Sequence, residues 1–323
     1  MSCRGHSLPL QRRLTDFGAE KSFAKAAKQA LEHYGIEVSE NAVRNITEAH
    51  GEALQGCIEF QQGEANSKPR EQLIAETDGT MIPIVTTDPA QETDQRKTRK
   101  VKWKEARLGL IYEQGTTEPI FGVTTGSPEE AGEQLANCAS RVGLGDNTKI
   151  HGVGDGATWI ADQIEILFGS QGSYLIDFYH LCDYLSAASK SCAADSGKWF
   201  ALQKQRFLDG MWKDVLEALK PHIEPTCVED KNAPVRACDR YIRNRPGQFD
   251  YSGANDAGLP IGSGQIESAH RYVIQERIKI PGAWWKLNNA DKMLALRITR
   301  VNGHWEKYWS SLKAPHNGML GII

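Results

Sequence analysis

Three acidic residues stand where a carboxylate could do chemistry. Asp78 lies in TDGT, inside the apolar stretch LIAETDGTMIPIV (73–85). Asp155 sits between two glycines in HGVGDGATWI (151–160), and Glu267 follows GSG in LPIGSGQIESAHR (259–271). Two-metal phosphoryl transfer requires several carboxylates, because Mg²⁺ ions roughly 3.5–4 Å apart prefer hard oxygen ligands. Glycines beside such a carboxylate would let a phosphate backbone come close. Each residue also has a plainer explanation. Asp78-Gly79 could form a type I′ hairpin turn. Asp155 could cap a helix beginning at Ala157, and Glu267 would suit the first turn of any helix through the macrodipole.

A smaller constellation, DFYH (177–180), ends a strand-like segment. Asp177 and His180 could position a water or a phosphate there, although a lone histidine beside an apolar strand can equally be a satisfied structural group. The run RKTRKVKWKEAR (96–107) sets Arg96, Lys97, Arg99, Lys100, Lys102, Lys104 and Arg107 against Glu105. It reads either as a solvated loop or, with Trp103 interleaved, as a track for a DNA backbone with a base stacked on the indole. Arg271, Arg277, Lys279 and Lys286 add positive charge near the C-terminus. Trp284-Trp285 beside them reads as core or as a stacking platform.

The surrounding pattern gives the elements that must hold these residues. Residues 20–34 and 39–51 carry apolar positions at helical spacing, with Gly35 and Gly51 as stops. The pair reads as a helical hairpin or a DNA-reading helix-turn-helix; the second helix carries Glu40, Glu48 and Glu52 against Arg44, which suits the hairpin better. After a polar break at 62–71 come three short strands rich in branched residues, at 73–85, 106–113 and 118–125. A helix at 127–142, a strand KIHGVGD, a helix ATWIADQIEILF and a strand SYLIDFYH follow. That order predicts a mixed α/β fold. From 181 to about 245 strand signals vanish, predicting a helical insertion. A Gly-rich loop (246–264) and a final helix from about 264 complete the chain.

Bulk properties narrow the class. The 323 residues suffice for one large or two ordinary domains, and 40% hydrophobic with 24% charged residues is an ordinary soluble composition. No apolar run reaches 18 residues and no signal peptide is legible, so no membrane partner is expected. Seven scattered cysteines without a C-x-x-C pair argue against structural zinc and for a reducing cytoplasm. A net charge of −3 argues against a nucleic-acid coat protein but leaves room for a local basic channel.

TDGT, GDGATWI, DFYHLCDYL and LPIGSGQIESAHR, in this order, resemble the DDE transposases of bacterial insertion sequences. The likeness is to the ISKra-like group, and more distantly to Mutator-type transposases. It covers roughly residues 15–310 and includes the R-x-K-x-P-G-x-W-W stretch at 277–285. The resemblance implies a ribonuclease H-like sheet with helices, an α-helical insertion, and Asp78, Asp155 and Glu267 as a triad binding Mg²⁺ (or Mn²⁺). It further implies that Asp177 and His180 form a D-x-x-H element arranging the scissile phosphate. DNA at transposon ends and at the target would be the partner, held by a homo-oligomer at the nucleoid.

The expected organisation is a helical N-terminal region (1–70), core (71–190), helical insertion (191–258), core with the glutamate helix (259–312) and a tail (313–323). Relatives begin with a longer N-terminal region, so a truncated copy with impaired end recognition is expected. The expected DNA contacts are Arg96, Lys97, Arg99, Lys100, Lys102, Lys104, Arg271, Arg277 and Lys279. Two other classes compete: a non-catalytic DNA-binding remnant that represses transposition, and an unrelated α/β hydrolase using Asp155 and Glu267 as acid and base.

Overall fold

The computed structural model describes residues 5–57, 68–87 and 95–313. Helices α1 (Leu8–Glu20), α2 (Phe23–Tyr34) and α3 (Glu40–Gln55) come first. The first of these has no counterpart in the sequence reading. Serine side chains cap the other two: Ser22 accepts from Lys25 N and Ser39 from Ala42 N. Gly51, expected as a stop, lies inside α3. A Cβ there would stand 2.6 Å from the backbone oxygen of Lys292, so the glycine serves close helix packing.

Five strands follow: β1 (Gln72–Thr86), β2 (Lys100–Glu113), β3 (Ile120–Thr124), β4 (Lys149–Gly154) and β5 (Gly172–Ile176). They form one mixed sheet in the order β3-β2-β1-β4-β5. The first three pair antiparallel as a meander, while β4 runs parallel to β1 and β5 parallel to β4. The parallel steps need crossovers, supplied by α4 (Pro128–Val142) and α5 (Thr158–Phe168). A capping box between Ser127 and Glu130 starts α4.

Alternation along β1 and β2 divides the core. Ile74, Ile82, Ile84, Leu108, Leu110 and Tyr112 face one side, and Leu73, Ala75 and Ile111 the other, against α4 and α5. The first face is covered by α11 (264–278), α12 (Leu287–Val301) and α13 (Trp305–Ser311). Helix α11 is α-helical over Gly264–Ala269, widens into π-helical turns over His270–Gln275, and closes with Glu276–Ile278. Between β5 and α11 lie α6 (Phe178–Cys192), α7 (Ser196–Leu208), α8 (Trp212–Leu219), α9 (Pro234–Arg243) and the short α10 (Tyr251–Asp256), which share a core of their own. α10 falls in the segment expected to be loop.

Buried polar groups weld the N-terminal helices to the rest. Ala19 and Leu54 belong to the main core. Arg277 donates to the Gly18 carbonyl and Arg297 to that of Ala19. His50 on α3 bonds Tyr308 at 2.6 Å and Gln11 at 3.0 Å. No helix among the described residues is long and apolar enough to cross a membrane. The six described cysteines are free thiols, and Cys3 lies outside the described residues.

Candidate active site

The first two acids meet because of strand register. β1 and β4 pair in parallel from Gln72 opposite Lys149 to Glu76 opposite Val153. Asp78 and Asp155 each lie two residues beyond that last pair, on neighbouring chains whose spacing in a sheet is about 4.8 Å. β5 extends the row: Gly154 pairs with Ile176, and the Asp177 amide donates to the Gly154 carbonyl at 2.7 Å. Asp155 and Asp177 thus follow directly on the carboxyl ends of β4 and β5, with Asp78 at the matching level inside β1, and the carboxyl ends of parallel strands are the usual place for a ligand crevice.

Asp78 is no hairpin turn. It sits mid-strand opposite Leu108, and its neighbour Gly79 pairs with Arg107. Its Oδ1 accepts from Gly79 N, and its Oδ2 lies 3.2 Å from Nε2 of His270 in the π-helical part of α11. The imidazole is buried with Nε2 turned to that carboxylate, and among the described residues its Nδ1 has no hydrogen-bond partner.

Asp155 is half-buried, and its Oδ1 accepts from the Ala157 amide at 2.8 Å. That partly realises the capping explanation, although the α5 N-cap is Ala157 itself, without a side-chain cap. The flanking glycines have a cause other than the one expected. A Cβ on Gly154 would stand 2.8 Å from the Tyr174 hydroxyl. Gly156 has φ +84°, and its Cβ would lie 2.7 Å from the Tyr241 hydroxyl. Protein side chains, not an incoming phosphate, occupy the room the glycines leave. Tyr241 donates to the Asp155 carbonyl at 2.7 Å, and Arg245 Nε to that of Gly156 at 2.7 Å. The helices between β5 and α11 therefore hold the Asp155 loop, a role no signal in the sequence announces.

Asp177 is buried and fully engaged. Its Oδ1 accepts from the Tyr179 and His180 amides as the α6 N-cap, and its Oδ2 from the Ser263 amide and hydroxyl. It anchors the Gly262-Ser263-Gly264 turn and borders a small cavity. His180 lies against the rings of Tyr184 and Tyr241.

Glu267 is exposed on the first turn of α11 and lines a small cavity with Asp177, Tyr179 and Gly262. Its helix is tied to β1 by Glu76, which the sequence reading passed over. Glu76 is 1% exposed and accepts from the Ile266 amide at 2.8 Å and the Tyr112 hydroxyl at 3.1 Å. Burial pushes its carboxyl up to about 7. The signal was available: alternation puts Glu76 and Asp78 on one face of β1.

Among the described residues no group of three or more His, Cys, Asp or Glu side chains gathers closely enough to hold a metal ion. The donor chemistry does fit a hard cation at the carboxylates of Asp78 and Asp155, with His270 Nε2 3.2 Å from the Asp78 Oδ2.

The basic residues separate. Residues 100–107 lie in β2 and not in a loop, with Lys100 and Lys102 exposed on one face and Val101 and Trp103 on the other. Lys97 and Arg99 are exposed and Lys104 is half-buried, while the Arg96 side chain lies outside the described residues. Arg271 is exposed on the Glu267 helix. Lys279 donates to Thr80 Oγ1 at 2.7 Å, one alternation beyond Asp78. Arg277 is not available to DNA: it is 1% exposed, packed against the rings of Phe23 and Trp285, each 4.7 Å away.

The sheet and its row of acids define a mixed α/β protein with a candidate active site at its strand ends. The chain belongs to the uncharacterised protein family UPF0236, which it matches over residues 9–310. No curated protein matches it. Among solved structures it is similar to the Drosophila P element transposase strand transfer complex, at 8% identity and a TM-score of 0.34, over 96% of this chain and 81% of that one. At that distance the residues of the site, and not the neighbour, carry the functional reading.

Proposed function

We propose that the chain is a metal-dependent DDE transposase of an insertion sequence, cleaving DNA at element ends and transferring the freed strand to a target. The observation that carries this reading is that Asp78 and Asp155 each lie two residues beyond the last parallel pair of β1 and β4, Glu76 opposite Val153. Support also comes from an antiparallel meander followed by two parallel strands, which suits a ribonuclease H-like core.

In this reading Asp78 and Asp155 hold Mg²⁺ (or Mn²⁺), with Glu267 as the third carboxylate. The cation, when bound, supplies charge stabilisation at the phosphate and a more acidic attacking hydroxyl. His270 and the Gly79 amide orient Asp78. Tyr241 and Arg245 fix the loop that carries Asp155. Asp177 holds the turn from which α11 and Glu267 emerge. End cleavage and strand transfer are both in-line substitutions at phosphorus, so one such site can serve both. Lys97, Arg99, Lys100, Lys102, Lys104 and Arg271 are the cations proposed to meet the DNA backbone.

The test is Asp155→Asn, assayed with Mg²⁺ on DNA carrying the element's ends. Nicking is expected to fall by at least about a thousandfold as several kcal/mol of charge stabilisation are lost. Circular dichroism and end binding are expected to stay near the parent's. A variant that nicks as well as the parent refutes the assignment.

One observation favours the second reading, a DNA-binding remnant: Glu267 does not gather with the two aspartates. A parent protein that binds ends without any metal-dependent nicking would decide for it.

A further inference from the structure

The adjacent tryptophans part company in the fold. Trp285 is 5% exposed, donates from Nε1 to the Ile278 carbonyl and belongs to the main core. Trp284 is 53% exposed, with the Arg99 guanidinium 5.9 Å from its ring. Both border a cavity of about 540 Å³ between α2, α3, the end of β1 and the turn at 280–286. That volume lies within the range of about 300–1,000 Å³ common for small-ligand sites.

The cavity is charged as well as aromatic. Arg44, Arg99, Arg277 and Lys286 line it, four cations against the two carboxylates of Glu40 and Glu48. Glu48 is partly committed, accepting from Asn289 Nδ2 at 3.0 Å. Arg277 is buried, and its Nη2 has no hydrogen-bond partner among the described residues.

We propose that this cavity binds an unpaired nucleotide of a DNA strand, its base stacked on Trp284 and its phosphate among Arg44, Arg99 and Lys286. This rests on the DNA reading of the strand-end acids but uses none of them. An exposed indole face beside arginines suits any base presented edge-free, and a paired base in a duplex cannot offer that face. β1 runs from Asp78 to Val85, whose amide bonds the Trp285 carbonyl. Seven residues at roughly 3.3 Å each put the nucleotide about 23 Å from the site of cleavage. The cavity therefore grips strand separated from, but continuous with, the DNA at the acids.

The experiment is fluorescence anisotropy of a labelled dT 20-mer and of a 20-bp duplex, without divalent metal, for the parent, Trp284→Ala, Trp284→Phe and Arg44→Ala. Trp284→Ala is expected to weaken dT binding about 5- to 100-fold while duplex binding changes little. Trp284→Phe is expected to recover most of the loss, and Arg44→Ala to flatten the salt dependence. Because Trp284 is exposed, its replacement leaves the core intact, which circular dichroism checks. If the parent binds duplex and Trp284→Ala holds dT as tightly as the parent, this proposal fails and the DNA reading stands. If the parent binds neither DNA, both fall together.

Discussion

The two ends of β1 sit in differently built surroundings. Around Glu76 and Asp78 the strand passes from buried to half-buried, and its carboxylates are met by the Ile266 amide, the Tyr112 hydroxyl and His270. Near Val85 it emerges beside exposed cations and an exposed indole. The first region is organised to hold a few oxygen atoms in place. The second offers reach and charge, with side chains still free to adapt to a partner. A strand of 15 residues can serve both because its pleat keeps one face in the core while its far end leaves the parallel sheet.

The sharpest way to break this comparison is Arg277, which borders the cavity but belongs to the core by burial. Arg277→Ala removes the donor to Gly18 and the packing between Phe23 and Trp285. A loss of about 4 kcal/mol of stability is expected in urea unfolding, against less than about 0.5 for Arg271→Ala on the exposed face of the same helix. Arg271→Ala should instead weaken DNA binding and its salt dependence. Equal stability of the two variants would dismiss the structural role given to Arg277.

Glu76→Gln tests the acidic end. All the groups facing Glu76 are donors, so an amide must turn its NH₂ toward one of them and unlatch α11. Nicking should fall about 10- to 100-fold, a size typical of residues that orient metal ligands, with DNA binding unchanged. An unaltered rate would mean that α11 needs no latch.

The smallest effect concerns neither end. Burial holds His50 down to about 4, below its ordinary 6.5. The unfolded chain therefore takes up a proton first, and stability is full above pH 6.5 and falls as pH drops toward 4. Between pH 6.5 and 5 this amounts to about 2 kcal/mol, to be read as a difference in urea midpoints. His50→Gln should flatten that slope.

Much of the sheet was legible. Alternating branched residues marked β1, β3 and β4, and Pro128 with Ser127 marked α4. β2 was read too short because its first half, KVKWKEA, alternates lysines with exposed residues and borrows its order from pairing with Ile82–Thr86. Helix α1 was missed because its buried positions include Gln11, Thr15 and Gly18, which carry no apolar stripe. At the site, the acids stood out by type and setting. Their supports did not: Tyr241, Arg245 and Ser263 act from distant segments through contacts with backbone atoms.

By itself the sequence determined the order of elements, the run of helices after β5 and the acids worth watching, because periodicity and turn chemistry are local properties of a chain. Only the tertiary structure decided which acids meet. Register, set by whole faces packing at once, brought Asp155 beside Asp78 and left Glu267 on a separate helix. The same packing parted two neighbouring tryptophans, burying Trp285 and exposing Trp284, a choice that adjacent identical residues cannot encode in their own types.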